Sequence, residues 1–477
     1  MTTKQEILDR LTALRASDLP VHGGRTMAYV YDSGLPELDD LAAAAAAAFA
    51  GVNGLDMTVF PSVVALENDL VKRAGALLGG DAATVGTFTS GGTESCLLAV
   101  HTAGNHARRQ RGVTAPEMVL PVTAHAAFFK AAELFGITPV VLPVGDDFVV
   151  RPEDVASAIT PDTVLVVVSA PSYAHGVIDP VAEVAGIAQS QGVLCHVDAC
   201  IGGWYLGHLR LAPDAPTIPE FDLRVPGVTS LSVDLHKYGY TPKGASIVLF
   251  RDADLRRHGY FVHTEWPGYP VITTTLQGTK SAGPLASAWA VTEHVGTDGY
   301  VELSRSVHRT TQTLIEGVGE IDGLYVLGAP QSSLLTVASD DSTLDVFVVA
   351  DEIRSAGWFL QPQLAYEKSP ANLHLTVTAA MATPEGAADL LRELAGAVGR
   401  ARDLGPAAID PMLAQAAQSL DPETLGPEEV TAALRMARIE AGGALPERMA
   451  PVLAALQALP GPLAARLLPE VISGLYR

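Results

Sequence analysis

The chain has 477 residues, of which 48% are hydrophobic and 18% charged, and its formal net charge is −22. This apolar content excludes disorder as the main state. The acidic charge argues against binding to nucleic acid or to an anionic membrane surface. Three cysteines are too few for a disulfide scaffold, and their spacing does not match a zinc site. We therefore expect a globular cytoplasmic protein with no metal site and no nucleic-acid partner.

Residues 1–58 are predicted to form an N-terminal segment that is helical at first and then irregular, because glycines interrupt its second half. The first twenty residues are charged and amphipathic, so they do not resemble a signal peptide. The alanine-rich run 41–50 is about half as long as a membrane-spanning helix must be. The sequence thus predicts no integral membrane segment.

Residues 59–304 alternate short β-branched runs with helical patterns, which is typical of an α/β domain. Several runs lack polar alternation, as strands buried on both faces do, so we expect a mainly parallel sheet. The last two runs lie close together in the chain and are expected to pair antiparallel at one edge of the sheet. The predicted strands are 118–124, 139–144, 163–170, 192–199, 229–236 and 245–251.

Residues 305–400 have the pattern of a small α+β domain, with predicted strands at 324–330, 332–339 and 372–378 and a helix near 345–357. Residues 401–477 read as a helical C-terminal extension punctuated by prolines. The pattern of this extension indicates no function.

Three clusters of residues carry chemical meaning in combination. The Gly91-Gly92-Thr93 turn opens a helix, where backbone N–H groups and the helix dipole favour a phosphate. Asp198 ends a buried run, and Lys237 follows the next one. Pyridoxal phosphate needs a phosphate site, a carboxylate at its pyridine nitrogen and a lysine that binds it covalently. Each cluster alone is weak, but together they predict a site for this cofactor.

The chain resembles the fold-type I, group II pyridoxal-phosphate decarboxylases, and among them the bacterial sphingosine-1-phosphate lyases. The resemblance extends from about Gly24 to about residue 400. It implies an α/β transferase-like fold, with a large domain built on a mostly parallel sheet and a small α+β C-terminal domain. The sequence motifs on which the resemblance rests are TSGGTES (89–95), TAHAAFFKAAELFG (123–136), HGVIDPVAEVA (175–185), HVDACIGG (196–203), GVTSLSVDLHKYGYTPKGAS (227–246) and FVHTEW (261–266).

The resemblance also implies roles for individual residues. Lys237 would hold the cofactor covalently, Asp198 would pair with the pyridine nitrogen, and His125 would stack on the ring. The cofactor phosphate is assigned to Gly92, Thr93 and His236 and, from the second subunit of a homodimer, to Gly278 and Thr279.

The expected substrate residues are Tyr31, Tyr173 and Lys243, with Tyr173 also counted among the catalytic residues. Asp56 stands where the family has a histidine that meets the substrate phosphate. Lys280 stands where the family has an arginine, so the charge is kept without the bidentate fork.

Three functional hypotheses follow for a small-molecule substrate. The first is a lyase that cleaves a carbon–carbon bond of an amino alcohol, phosphorylated or not, to an aldehyde and an amine. The second is an L-amino-acid decarboxylase, in which Asp56 would face the ammonium of the substrate. The third is a scaffold without turnover, which the presence of Lys237, Asp198 and the phosphate turn disfavours.

Overall fold

The computed structural model describes residues 2–408 and 446–476, and it contains one large sheet, one small sheet and a surface hairpin in that part of the chain. The strands are β1 (Val85–Thr89), β2 (Glu117–Pro121), β3 (Thr138–Leu142), β4 (Thr163–Ser169), β5 (Leu194–Asp198), β6 (Val228–Val233), β7 (Ser246–Phe250), β8 (Phe261–His263), β9 (Val271–Thr273), β10 (Leu324–Val326), β11 (Leu334–Ser339), β12 (Gln361–Gln363) and β13 (Asn372–Thr376).

The helices pack on both faces of the large sheet and on the small sheet. They are α1 (Lys4–Leu14), α2 (Glu37–Ala48), α3 (Pro61–Leu77), α4 (Gly92–Arg111), α5 (Ala126–Phe135), α6 (Pro152–Ala158), α7 (Val181–Ser190), α8 (Gly202–Leu209), α9 (Ala253–Arg257), α10 (Ala282–Gly319), α11 (Val346–Ser355), α12 (Pro384–Leu404), α13 (Ala450–Ala458) and α14 (Gly461–Leu475). None of these helices combines the length and the apolar character needed to cross a bilayer.

The large sheet has seven strands in the order β1-β7-β6-β5-β4-β2-β3. Strands β2 to β6 pair in parallel, whereas β7 runs antiparallel to both β6 and β1. All seven residues of β4 are buried, as expected of a strand covered on both faces. The predicted α/β fold with a mostly parallel sheet is confirmed.

One detail of the predicted sheet is wrong. The runs that became β6 and β7 do pair antiparallel, but they do not form the edge, because β1 lies outside β7. The sequence VGTFT of β1 was missed because glycine and threonine weaken the β signal of so short a run. Gly86 allows the close approach of the two strands, since a Cβ there would lie 2.9 Å from the Val248 carbonyl oxygen.

The small sheet has four antiparallel strands in the order β10-β11-β13-β12. Three of them lie within the predicted runs, and only the three-residue β12 was not predicted. The N-terminal segment joins this unit, because Met27 is fully buried and its backbone bonds to Phe359 and Thr376. The predicted boundary near residue 305 lies inside α10, which contacts α2 and α8 as well as the small sheet. The division into domains stays a prediction.

The predicted helical extension agrees with α13 and α14, and its residues 409–445 lie outside the described part of the chain. Helix α13 begins against α11, where the Asp351 carboxylate accepts the backbone N–H groups of Met449 and Ala450 at 2.8 and 2.9 Å. A carboxylate at the first turn satisfies donors that have no partner within a helix and also favours the helix dipole. The extension is therefore attached to the small unit.

Helix α10 also fixes the loop that follows β6. The buried Tyr300 hydroxyl donates a hydrogen bond of 2.8 Å to the Gly239 carbonyl oxygen in that loop. We expect Tyr300→Phe to lower the free energy of unfolding by about 1–2 kcal/mol, because a buried acceptor loses its donor. Urea denaturation would measure the change against Tyr325→Phe, which alters an exposed tyrosine of β10. Equal stability of the two variants would contradict this role of Tyr300.

Candidate active site

The predicted cofactor residues other than Gly278 and Thr279 meet at one edge of the large sheet. Strands β1, β2, β4, β5 and β6 run in the same direction, so their carboxyl ends lie together, where α/β proteins bind ligands. A cavity of about 340 Å³ opens at this edge. Of the predicted residues, those that line it are Gly92, Thr93, His125, Tyr173, Asp198, His236 and Lys237.

The phosphate side of this cavity is the first turn of α4. The backbone N–H groups of a first helical turn have no acceptor within the helix, and no side chain of the described residues caps α4. Position 92 admits only glycine, because a Cβ there would lie 2.6 Å from Asp234 Oδ2 and 2.8 Å from Cys200 Sγ. The turn therefore presents bare backbone donors to the cavity, which fits a phosphate group.

The lysine of the cavity forms a buried ion pair. Lys237 Nζ lies 2.9 Å from Asp234 Oδ2, and Asp234 is 1% exposed. Burial favours the neutral amine, but the Asp234 carboxylate outweighs it and raises the pKa of Lys237 well above its usual value. Burial would likewise raise the pKa of Asp234, yet the charge of the Lys237 ammonium holds it below its usual value. Lys237 is therefore an ammonium ion that is paired with the Asp234 carboxylate.

Asp234 is the functional residue that the sequence analysis missed. It stands three residues before Lys237, so the turn between β6 and the lysine brings the two side chains together. An acid at this spacing from a candidate Schiff-base lysine is a signal that sequence reasoning could have used. Its second carboxylate oxygen, Oδ1, is buried and has no hydrogen-bond partner among the described residues.

Asp198 presents its carboxylate to the same cavity without an ion pair among the described residues. Its carboxylate accepts hydrogen bonds from the Cys200 backbone N–H at 3.1 Å and from the Ser232 hydroxyl at 3.4 Å. No lysine or arginine within the described residues pairs with it. The histidine behind Ser232, His196, is neutral because burial lowers its pKa to about 4. A buried carboxylate with neutral neighbours fits a protonated pyridine nitrogen.

His236 completes the inner wall. Its Nδ1 accepts the Ala245 N–H at 3.1 Å, and its Nε2 lies 3.5 Å from Asp234. Burial lowers the pKa of His236 to about 4, and the charges of Lys243 and Lys237 act in the same direction. The ring is therefore neutral and carries its proton on Nε2.

His125 is held at the outer wall of the cavity. It caps the start of α5, where its Nδ1 accepts the Ala127 N–H at 3.2 Å. Its ring centre lies 6.4 Å from that of Tyr173, with the two planes nearly perpendicular. The side chain is exposed in this chain, so a flat ring can approach it from the cavity.

Tyr173 is fixed by contacts with the small unit. Its hydroxyl donates a hydrogen bond of 2.5 Å to Gln361 Oε1, and its ring stacks on His374 at 4.3 Å. Burial raises the pKa of Tyr173 above its usual value, so the phenol stays protonated at neutral pH. The residue can donate a proton or a hydrogen bond, but it does not act as a base.

Tyr31 and Lys243 lie next to each other and close enough to Lys237 to feel its charge, although neither lines the cavity. Lys243 Nζ is 4.9 Å from the centre of the Tyr31 ring, a cation–π contact. Burial raises the pKa of Tyr31 to about 12, although the charge of Lys237 opposes this effect. Partial burial, together with the charge of Lys237, lowers the pKa of Lys243 to about 8. The structure thus brings both predicted substrate residues to the neighbourhood of Lys237.

The remaining predicted residues lie elsewhere in the same chain. Gly278 lines a second cavity of about 180 Å³, and neither Gly278 nor Thr279 lines the Lys237 cavity. Asp56 is exposed and closes its own turn by accepting the Thr58 N–H and hydroxyl at 2.8 and 2.6 Å. Lys280 lies in the second cavity, 2.5 Å from Glu67, so its charge is already neutralised. Contributions of these residues to a site shared between subunits stay predictions.

Comparisons with known proteins agree with this geometry. The model of the pyridoxal-dependent decarboxylase conserved domain matches residues 25–328, and that of a C-terminal putative HTH domain of pyridoxal-dependent enzymes matches residues 406–474. A sphingosine-1-phosphate lyase from Arabidopsis thaliana is 38% identical over 335 residues, which are 69% of this chain and 60% of the relative. The chain therefore spans less than two thirds of that relative's length.

Solved structures extend the similarity to the fold. A sphingosine-1-phosphate lyase from Burkholderia pseudomallei is 34% identical, with a TM-score of 0.79 over 90% of this chain and 96% of the other. A glutamate decarboxylase from Lactobacillus brevis, at 21% identity, shares the fold with a TM-score of 0.73 over 84% of this chain and 93% of the other.

The fold and the cavity define a fold-type I pyridoxal-phosphate enzyme. The chain belongs to the pyridoxal-dependent decarboxylase family, within which its relatives include sphingosine-1-phosphate lyases. The family and its cofactor were predicted from the sequence and are confirmed.

The Asp234–Lys237 pair generates a prediction about cofactor uptake. In Asp234→Asn the charge that raises the pKa of Lys237 is gone, so the amine loses its proton at a lower pH. We expect the pH at which pyridoxal phosphate uptake is half-maximal to fall by at least one pH unit. Stopped-flow absorbance of the cofactor-free protein across pH would measure it.

Asp69→Asn is the matched control for Asp234→Asn, because Asp69 pairs with Arg73 on α3, away from the cavity. The uptake profile of Asp234→Asn could instead coincide with those of the control and the unaltered protein. That result would show that the ion pair does not determine whether the Lys237 amine is protonated.

Proposed function

We propose that this protein cleaves the carbon–carbon bond next to the amine of a phosphorylated amino alcohol, giving an aldehyde and a phosphorylated amine. The observation that carries the proposal is the Tyr31–Lys243 pair beside Lys237, which supplies a cation outside the cofactor phosphate turn. A second phosphate needs such a cation. The similarity to a sphingosine-1-phosphate lyase over 90% of the chain supports the same reaction.

The cofactor, when bound, supplies an electron sink for the electrons of the broken bond. Lys237 would hold it covalently, and the backbone donors at Gly92 and Thr93 would bind its phosphate. Asp198 would keep the proton on the pyridine nitrogen, because its carboxylate has only neutral donors around it.

Cleavage also needs a base that removes the proton of the substrate hydroxyl. Tyr31 and Tyr173 are poor bases because burial raises the pKa of each phenol. We assign this role to Lys237, whose Nζ would accept the proton when it is a free, neutral amine. Asp234, 2.9 Å away, would stabilise the ammonium that forms.

We also propose a cytoplasmic homodimer. The composition, which is acidic overall and has only 18% charged residues, favours a cytoplasmic protein. Gly278 lies in a different cavity from Lys237 in the same chain, which suits a residue that acts in the site of a second subunit.

Product analysis tests the proposed reaction. The protein with added pyridoxal phosphate would be given sphingosine-1-phosphate, short phosphorylated amino alcohols and a panel of amino acids, with aldehyde and carbon dioxide measured separately. We expect aldehyde from the phosphorylated amino alcohols, and Lys237→Met should abolish its release. Carbon dioxide from an amino acid without any aldehyde would replace the proposal by the decarboxylase hypothesis.

Lys243 gives a second test. We expect Lys243→Met to raise KM for a phosphorylated substrate about tenfold to a hundredfold, since a charged hydrogen bond to phosphate is lost. In the unaltered protein the pKa of Lys243 is about 8, so the ammonium is present below that pH and is lost above it. KM should therefore rise with pH through this range, and the variant should lose this rise.

Lys130→Met, on the exposed face of α5, is the matched control for Lys243→Met. A KM for the phosphorylated substrate that is equal in the two variants would refute phosphate binding by Lys243.

A further inference from the structure

Residues 361–369 form a wall segment that connects the small unit to the cofactor cavity. At its start, Gln361 accepts the hydrogen bond of Tyr173, which lines that cavity. At its end, the Ser369 hydroxyl lies 3.0 Å from His175 Nε2. Between these points Leu364 and Tyr366 line an adjoining cavity of about 200 Å³. The wall segment therefore contacts the Tyr173 hydroxyl through Gln361.

Only three residues of the wall segment lie in a strand. These are the residues of β12, and beyond it the chain leaves the sheet, with Glu367 at a φ of 50°. Leu364 and Tyr366 are exposed, so apolar burial contributes little to holding this part in place. A segment of this kind opens locally at low cost unless another element holds it.

The C-terminal extension supplies such an element. On α13, the Gln457 carboxamide contacts the middle of the wall segment with both of its polar atoms. Its Oε1 accepts the Ala365 N–H, and its Nε2 donates to the Ala365 carbonyl oxygen at 3.3 Å. One side chain thus satisfies both backbone groups of Ala365, as a neighbouring strand would.

The anchor of α13 lies on the rigid small unit. Asp351 caps its first turn, and Arg448 forms an ion pair with Glu352 of the same helix, α11. Asp351 and Glu352 are both buried. Helix α13 therefore has a fixed base from which Gln457 reaches the wall segment.

The charge of the extension does not suit DNA. Residues 406–474, the part that matches the putative HTH domain, contain eight acidic residues and four arginines, with no lysine. Binding to a phosphate backbone needs an excess of positive charge. The chemistry of the segment favours a contact within the protein over a nucleic-acid partner.

We propose that helix α13 of the C-terminal extension is a brace for the active site and that Gln457 is a positioning residue that holds Ala365, and through Gln361 the Tyr173 hydroxyl, in place. The part concerning turnover rests on the proposed lyase function. The contact between Gln457 and the wall segment does not depend on that function and is tested without substrate.

The test compares Gln457→Met, Gln457→Glu and the control Arg466→Met in the full chain. Methionine keeps the size of the side chain but has no strong donor or acceptor, and glutamate keeps the acceptor for the Ala365 N–H but cannot donate. Arg466 pairs with Glu470 within α14, so its variant alters the extension without touching the wall segment. Hydrogen–deuterium exchange would follow peptides covering residues 361–369 and 171–176.

We expect exchange of the 361–369 peptide to rise about tenfold in Gln457→Met, less in Gln457→Glu and not at all in Arg466→Met. The 171–176 peptide should follow in the same order. With substrate, kcat of Gln457→Met should fall several-fold, while the affinity for pyridoxal phosphate stays within twofold.

Unchanged hydrogen–deuterium exchange of the 361–369 peptide in Gln457→Met would overturn the proposal that Gln457 holds the wall segment. Raised exchange with unchanged kcat would overturn the link to Tyr173. If no aldehyde forms with any variant, the proposed reaction fails, and the exchange of the 361–369 and 171–176 peptides still decides whether the extension holds this wall.

Discussion

The common direction of five strands is the constraint on which the site depends. Strands β1, β2, β4, β5 and β6 all end at one edge of the large sheet, and the residues that follow them converge there. Backbone hydrogen bonds of a buried sheet fix this geometry before any side chain contributes. Strand β7 lies between β6 and β1 and runs antiparallel to both, so β1 has the same direction as β6.

Within this frame the site is a balance of a few buried charges. Lys237 is paired with Asp234, and Asp198 faces the cavity without a cation. The histidines nearby do not add charge, since burial lowers the pKa of His236 and His196 to about 4. A buried charge is costly unless it is paired. The cofactor would fit this balance, because Asp198 would compensate a cationic ring nitrogen and the backbone donors of α4 would bind a phosphate.

The cofactor half of the site was predictable from the sequence because it is built from local patterns. Asp198 is the last residue of β5 and Lys237 lies four residues after the end of β6, so assigning these two strands also places both side chains at the edge of the sheet. The same local rule failed for β1, whose glycine and threonines give a weak strand signal. Asp234 was missed although it is local, because its role appears only when its distance to Lys237 is known.

The substrate half was less predictable because it is assembled from distant parts of the chain. The Tyr173 hydroxyl is held by Gln361, 188 residues later, and Ala365 by Gln457, 92 residues later. Neither contact has a periodic or motif signature, since each depends on the packing of the small unit.

The division of the site into a cofactor half and a substrate half has a functional consequence. A family can keep its cofactor chemistry in the strand ends while the substrate changes through the wall segment and the elements that hold it. Substrate choice in this protein is therefore to be sought in the Tyr31–Lys243 pair and in the contacts made from residues 361–369.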